Sequence, residues 1–186
     1  MASATRTTRL ITGEELARMP GCEPCELVAG RIVPMSPGGA EQSFVTANAF
    51  RILDGFVRPR GLGRVLTGEV GVYTRRNPDT IRGADVVFVS TERYERRTVA
   101  LTFLDVAPEL VVEVLATRDT VTDVADKLSE YFAAGVRLVW VIDPRARRVY
   151  AHRSVADVRE AGEADSLSGD DVLVGFSAPV AALFEA

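Results

Sequence analysis

Residues 109–144 read ELVVEVLATRDTVTDVADKLSEYFAAGVRLVWVIDP. Residues 109–115 form an apolar run of strand length, with the composition of a strand buried on both faces. Residues 120–134 place Val121, Val124, Ala125, Leu128, Tyr131 and Phe132 at helical spacing, and Gly135 supplies the stop. Residues 137–142 read as a second buried strand. A strand, a helix and a strand in this order predict two parallel strands joined by a right-handed crossover. The expected fold class is therefore α/β.

Working outward, Asp143-Pro144 is a turn into a hairpin strand at 149–152, and the acidic tail closes with a small strand and an apolar turn at 180–184. Upstream, residues 64–74 and 81–90 read as a strand pair joined through Asn77-Pro78-Asp79. Residues 26–35 read as a first strand, and Ser36-Pro37-Gly38-Gly39 as a turn into a helix over 40–57 that presents Phe44, Ala47, Phe50 and Leu53 at helical spacing and stops before Pro59. No repeat or linker divides the chain, so a single domain over 1–186 is expected. Residues 1–9 are polar and Thr-rich, with no apolar run behind them, and read as a frayed terminus.

The 186 residues are 47% hydrophobic and 26% charged, which excludes disordered, collagen-like and coiled-coil chains. The longest purely apolar stretches, such as Val86-Val87-Phe88-Val89, fall far short of the ~20 residues that span a bilayer, so a cytoplasmic chain is expected. Cys22 and Cys25 are too few for a disulfide framework or a zinc site and read as structural. His152 is the only histidine and lies near the end of a strand with no nucleophile motif nearby, which argues against Ser-His-Asp and Cys-His hydrolases. The sole lysine, Lys127, follows Asp126 rather than Gly, so there is no Walker-type loop.

A net charge of −4 argues against a protein held on nucleic acid by bulk electrostatics. The charge is uneven: residues 1–100 carry 14 Arg against 11 acids, residues 101–186 carry 8 bases against 15 acids. Nine arginines between Arg58 and Arg97 either furnish a local phosphate-facing patch or are scattered over solvated surface.

Three residues carry chemistry. Glu113 lies in the middle of the buried run, and by alternation shares a face with Val111 and Leu115. A lone charge there costs several kcal/mol unless it is paired or binds a metal, so Glu113 is a site candidate unless its face opens to solvent or an arginine pairs with it. Asp85 opens the apolar run at 86–89; it is either a turn residue or, if the two strands are neighbours, half of an oxygen-ligand pair for Mg²⁺. Lys127 falls about 40° beyond Tyr131 on the helix, on the flank of the apolar stripe, where a compact ammonium can approach a water or phosphate. The plainer alternative is a snorkelling lysine paired with Asp123.

The order Asp85, Glu113 within ELVVEVL and Lys127 within DKLSEYFAAGVRLVWVIDP resembles the Uma-two family of restriction endonucleases, a branch of the PD-(D/E)XK nuclease superfamily. Further likeness lies in Glu26-Leu27-Val28-Ala29-Gly30, Pro34-Met35-Ser36-Pro37 and Val172-Leu173-Val174-Gly175-Phe176. The resemblance implies a restriction-endonuclease-like mixed sheet, with a central strand-helix-strand unit flanked by helices, that hydrolyses phosphodiester bonds of DNA with Mg²⁺, or Mn²⁺ in its place, and leaves a 5′-phosphate. It makes Asp85, Glu113 and the Val114 carbonyl the metal ligands and Lys127 the residue beside the nucleophilic water. Glu26 would be an additional acid, and a homodimer would supply two sites for two strands.

The superfamily motif places Lys two residues after the Glu, where this chain has Leu115; Lys127 then resembles a lysine migrated to the following helix. Ala84 stands where the family usually has Pro, Gln42 where a His often follows Glu41, and Ala116-Thr117-Arg118 where a Ser-Pro-Ser run is common. The departures at Gln42 and Ala116, with the acidic net charge, support a rival to an active DNA endonuclease: a binding or regulatory module with a nuclease fold. A third reading, a hydrolase of a smaller phosphodiester, shares the site but would lack a groove long enough for a duplex.

Overall fold

A computed structural model describes residues 9–22, 24–98 and 102–185. The elements run α1 (Gly13–Leu16), β1 (Cys25–Val28), β2 (Arg31–Pro34), α2 (Ala40–Val57), β3 (Gly63–Arg75), β4 (Thr80–Ser90), α3 (Thr91–Arg96), β5 (Leu110–Val114), α4 (Val121–Ala134), β6 (Leu138–Asp143), β7 (Arg148–His152), β8 (Val158–Gly162), β9 (Ser166–Ser168) and β10 (Ser177–Pro179). Eight of the strands form one mixed sheet in the order β2-β1-β4-β5-β6-β7-β8, with β3 along the other edge of β4. Among the described strands β5 and β6 pair in parallel, through α4, as the 109–144 pattern predicts, and the other strand pairs are antiparallel.

The predicted helix over 40–57 and the strand pair flanking Asn77-Pro78-Asp79 are present. The single strand expected over 26–35 is instead a hairpin. Ala29 and Gly30 both have positive φ, 48° and 73°, which closes β1 onto β2 with the twist that two-residue hairpins favour. The small strand expected before the turn at 180–184 is β10, paired with β9. The sequence pattern does not show α1, α3, β8 or β9: they are short, and β8 (VREAG) carries charges where an amphipathic strand would alternate. Of the expected frayed terminus, residues 1–8 lie outside the described residues, whereas Arg9 forms an ion pair with Glu15.

The sheet is covered on both faces. On one, Val86, Phe88, Leu110, Val112 and Trp140 pack with Val45, Ala49, Leu53 and Val57 of α2. On the other, Val87, Val89, Val111, Val139 and Val141 pack with Leu128 and Tyr131 of α4. Burial of each such side chain stabilises the fold by about 1.5–3 kcal/mol, before entropy is set against it. Cys22 and Cys25 belong to a third, smaller cluster around Leu27, Tyr73 and Ile81, with their sulfurs 2.9 Å apart.

One feature of the pairing opens a cleft. β3 runs along one edge of β4 for its whole length, so β1 and β5 must share the other, β1 at Ile81 and β5 at Val86 to Phe88. Between these contacts the two strands part, and the β4 edge around Gly83 is left to side chains.

Candidate active site

The cleft between β1 and β5 is where the three chemical residues meet. Val86 pairs with Val112, so the antiparallel register brings Asp85 opposite Glu113, on the α4 face of the sheet. The geometry satisfies the condition that the two carboxylates come from neighbouring strands. α4 then crosses this face and lays Lys127 over the gap: its Nζ donates to Glu113 Oε2 at 2.9 Å and to the Gly83 carbonyl at 3.2 Å, and lies 3.5 Å from Glu26 Oε1. The alternative pairing of Lys127 with Asp123 is not formed, because Asp123 is spent in the capping box of α4 with Thr120. Nor does an arginine neutralise Glu113; its other oxygen, Oε1, accepts from the Tyr131 hydroxyl at 2.6 Å.

Asp85, 8% exposed, accepts from the Val114 N–H at 2.7 Å, and the Val114 carbonyl accepts from Gln42 Nε2 at 3.1 Å. The Val114 peptide is thus held on one side by the site aspartate and on the other by helix α2. Burial, reinforced by the nearby Glu113 charge, pushes the Asp85 carboxyl up to about 7 against the opposing pull of that N–H. Burial also works against the charge on Lys127, but Glu113 and Glu26 outweigh it and hold the ammonium above its ordinary range.

Glu26 is placed differently from an additional open acid. Oε2 accepts from Arg82 at 2.8 Å and Oε1 from the Gly83 N–H at 2.9 Å, while Arg82 grips Glu130 through two bonds of 2.6 and 3.0 Å. The Glu130–Arg82–Glu26 chain ties α4 and β1 to the unpaired edge of β4 and fixes the neighbourhood of Lys127. Arg82 therefore leaves the expected phosphate-facing group, and the remaining arginines of that window separate as well. Arg76 stacks on Tyr73 at the β3–β4 turn, whereas Arg64 and Arg97 stack on Tyr94 at the far end of these strands.

Glu69 enters the cleft from a bulge in β3, where the register shifts between Thr67 and Val70 and Glu69 itself has a φ of 57°. Its carboxylate lies over Gly83: a Cβ there would stand 2.9 Å from Glu69 Oε2. Burial, then Glu113, raises the Glu69 carboxyl above its usual range. Gly68 inside a strand pattern was the available sequence signal for this bulge; Tyr131 gave none, because it satisfies the apolar stripe of α4 equally well.

Together these groups line a cleft of about 380 Å³. Among the described residues no three His, Cys, Asp or Glu side chains gather as a metal cluster. The donor set is two carboxylates and a carbonyl. These are oxygen donors of the kind that hard divalent cations take.

A family model, Uma2, described as "Putative restriction endonuclease", matches residues 14–181. No curated protein matches the chain. Among solved structures, the fold is similar to that of "a putative nuclease belonging to DUF820" from Anabaena variabilis, with a TM-score of 0.78, 18% sequence identity, and coverage of 94% of this chain and 97% of that one.

Proposed function

The chain belongs to the Uma2 family of "Putative restriction endonuclease" proteins, and from that premise we propose that it is a divalent-metal-dependent phosphodiesterase acting on DNA. The observation that carries this reading is the convergence of Asp85, Glu113 and Lys127 on one cleft, where Lys127 Nζ lies 2.9 Å from Glu113. Asp85, Glu113 and the Val114 carbonyl would hold Mg²⁺, or Mn²⁺ in its place. A cation held there would supply polarisation of the scissile phosphate and a more acidic bound water. Lys127 orients that water and offsets the negative charge that builds on the phosphate. Tyr131 and Lys127 keep the Glu113 carboxylate oriented, and Glu26 with Arg82 keeps Lys127 over the gap. A two-fold dimer would supply two such sites, whereas one site suffices for a nick. The substrate and the free Mg²⁺ of the cytoplasm suit this chemistry.

The rival reading, a binding module without turnover, has one observation behind it: Gln42, where a His often stands, spends its amide N–H on the Val114 carbonyl. Calorimetric titration of Mg²⁺ into wild type and Glu113→Gln, paired with nicking of supercoiled plasmid in Mg²⁺ and Mn²⁺, separates the two. Uptake and nicking should both appear in the wild type and vanish in the variant. Absence of metal uptake by folded wild type would sink the nuclease mechanism and leave the binding module.

A further inference from the structure

The phosphodiesterase reading leaves unused a stripe on helix α2. Gln42, Thr46 and Phe50 are spaced four residues apart, which puts them on one face of the helix. They line a groove of about 330 Å³ between α2 and the β3 bulge at Thr67. The groove is continuous with the catalytic cleft, because Gln42, Glu69 and Asp85 line both.

Two polar atoms in this stripe have no partner. Gln42 Oε1 and Thr46 Oγ1 are shielded from water and make no hydrogen bond among the described residues. The Gln42 amide cannot be turned to relieve this, because its Nε2 is engaged with the Val114 carbonyl at 3.1 Å. Buried polar atoms are almost always satisfied, so two orphans in one groove point to a ligand that satisfies them. The chemistry of that ligand follows from the lining. No lysine or arginine side chain lines the groove, so nothing there would hold a phosphate. An acceptor, a hydroxyl and an aromatic ring in succession instead match a nucleobase, which offers N–H and acceptor groups at its edge and a flat face to Phe50.

We propose that Gln42, Thr46 and Phe50 form a subsite for the unpaired base of the nucleotide beside the scissile phosphate. This rests on the nuclease reading and deepens it, since a base paired in a duplex cannot enter the groove. The substrate is single-stranded, or unpaired at the cut.

The test is fluorescence anisotropy with Ca²⁺ replacing Mg²⁺, using a single-stranded DNA oligonucleotide, its duplex, and a strand of the same length built of abasic nucleotides. Cleavage of the same three in Mg²⁺ is measured in parallel. Wild type should bind and cut the base-bearing single strand best. Thr46→Val, which preserves side-chain shape, and Phe50→Leu should each weaken that binding by about tenfold and leave the abasic strand unaffected. Equal affinity for base-bearing and abasic strands, a duplex bound as tightly as the single strand, or two variants that bind like wild type would each overturn the subsite while leaving the nuclease reading intact. If none of the three probes is bound or cut, the nuclease reading falls and the subsite falls with it.

Discussion

At Asp85 the proposed role in holding a cation and the demands of folding oppose each other. Burial and Glu113 raise its carboxyl to about 7, against about 3.9 in an unfolded chain. The native state therefore holds this proton more tightly than the unfolded state does, and the metal-free protein loses stability as pH rises from about 4 to about 7. Asp85→Asn keeps an acceptor for the Val114 N–H and carries no charge. Its metal-free form should melt at least ~2 °C above wild type at pH 8, with the gap closing near pH 4, while Mg²⁺ uptake is lost. Scanning calorimetry at the two pH values decides this, and equal melting at pH 8 would refute it. Lys127 makes the complementary case. It contributes a donor to the site but no metal ligand, so Lys127→Met should retain calorimetric metal uptake and slow plasmid nicking by about 10²-fold or more.

At the scale of elements, α4 is the part that turns a strand pair into a site. It is fixed at its start by the reciprocal Thr120–Asp123 capping box and at its end by Gly135, whose φ of 100° is one that L side chains rarely adopt. Between these ends, Lys127 donates to Glu113 and to the Gly83 carbonyl, Glu130 accepts from Arg82, and the Tyr131 hydroxyl donates to Glu113. Thr120→Ala removes the cap and should cost about 1 kcal/mol in urea unfolding, whereas Thr120→Ser should be nearly neutral; equal losses would show that the cap contributes nothing. The helix itself was legible because six apolar residues recur at its period. What Lys127 touches was not legible: Asp123 four residues back and Glu113 fourteen residues back are equally plausible partners until the cap claims the first.

For the whole molecule, charge decides how a substrate is approached. The net charge is −4, and the cleft is rimmed by Asp119, Asp123, Asp126 and Glu69, while the arginines of residues 58–97 disperse to three separate places. The basic residues that line the same cleft are engaged, Arg82 by Glu26 and Glu130, Lys127 by Glu113 and Arg118 by Ser36, so under the proposed function attraction to phosphate falls mainly to the bound cation. Without a divalent metal the protein should show no binding to DNA at physiological ionic strength, and Ca²⁺ should create it; anisotropy measured across a Ca²⁺ titration checks this, and metal-independent binding would contradict it.

The sequence by itself determined the central strand-helix-strand unit, the α2 helix and the β3–β4 pair, and it singled out Glu113 as a carboxylate in need of a partner. Those features rest on local period and on the cost of an unexplained carboxylate in a buried run, both of which act within a few residues. The β1–β2 hairpin escaped it because Ala29 accepts a positive φ that its identity does not advertise. Only the tertiary structure decided that β1 and β5 share one edge of β4, that Glu26 and Arg82 are consumed in holding Lys127, and that Glu69 leans in from a bulge. These are pairings between residues many positions apart, and strand order and register, which no local pattern encodes, settle which of several chemically equivalent partners is within reach.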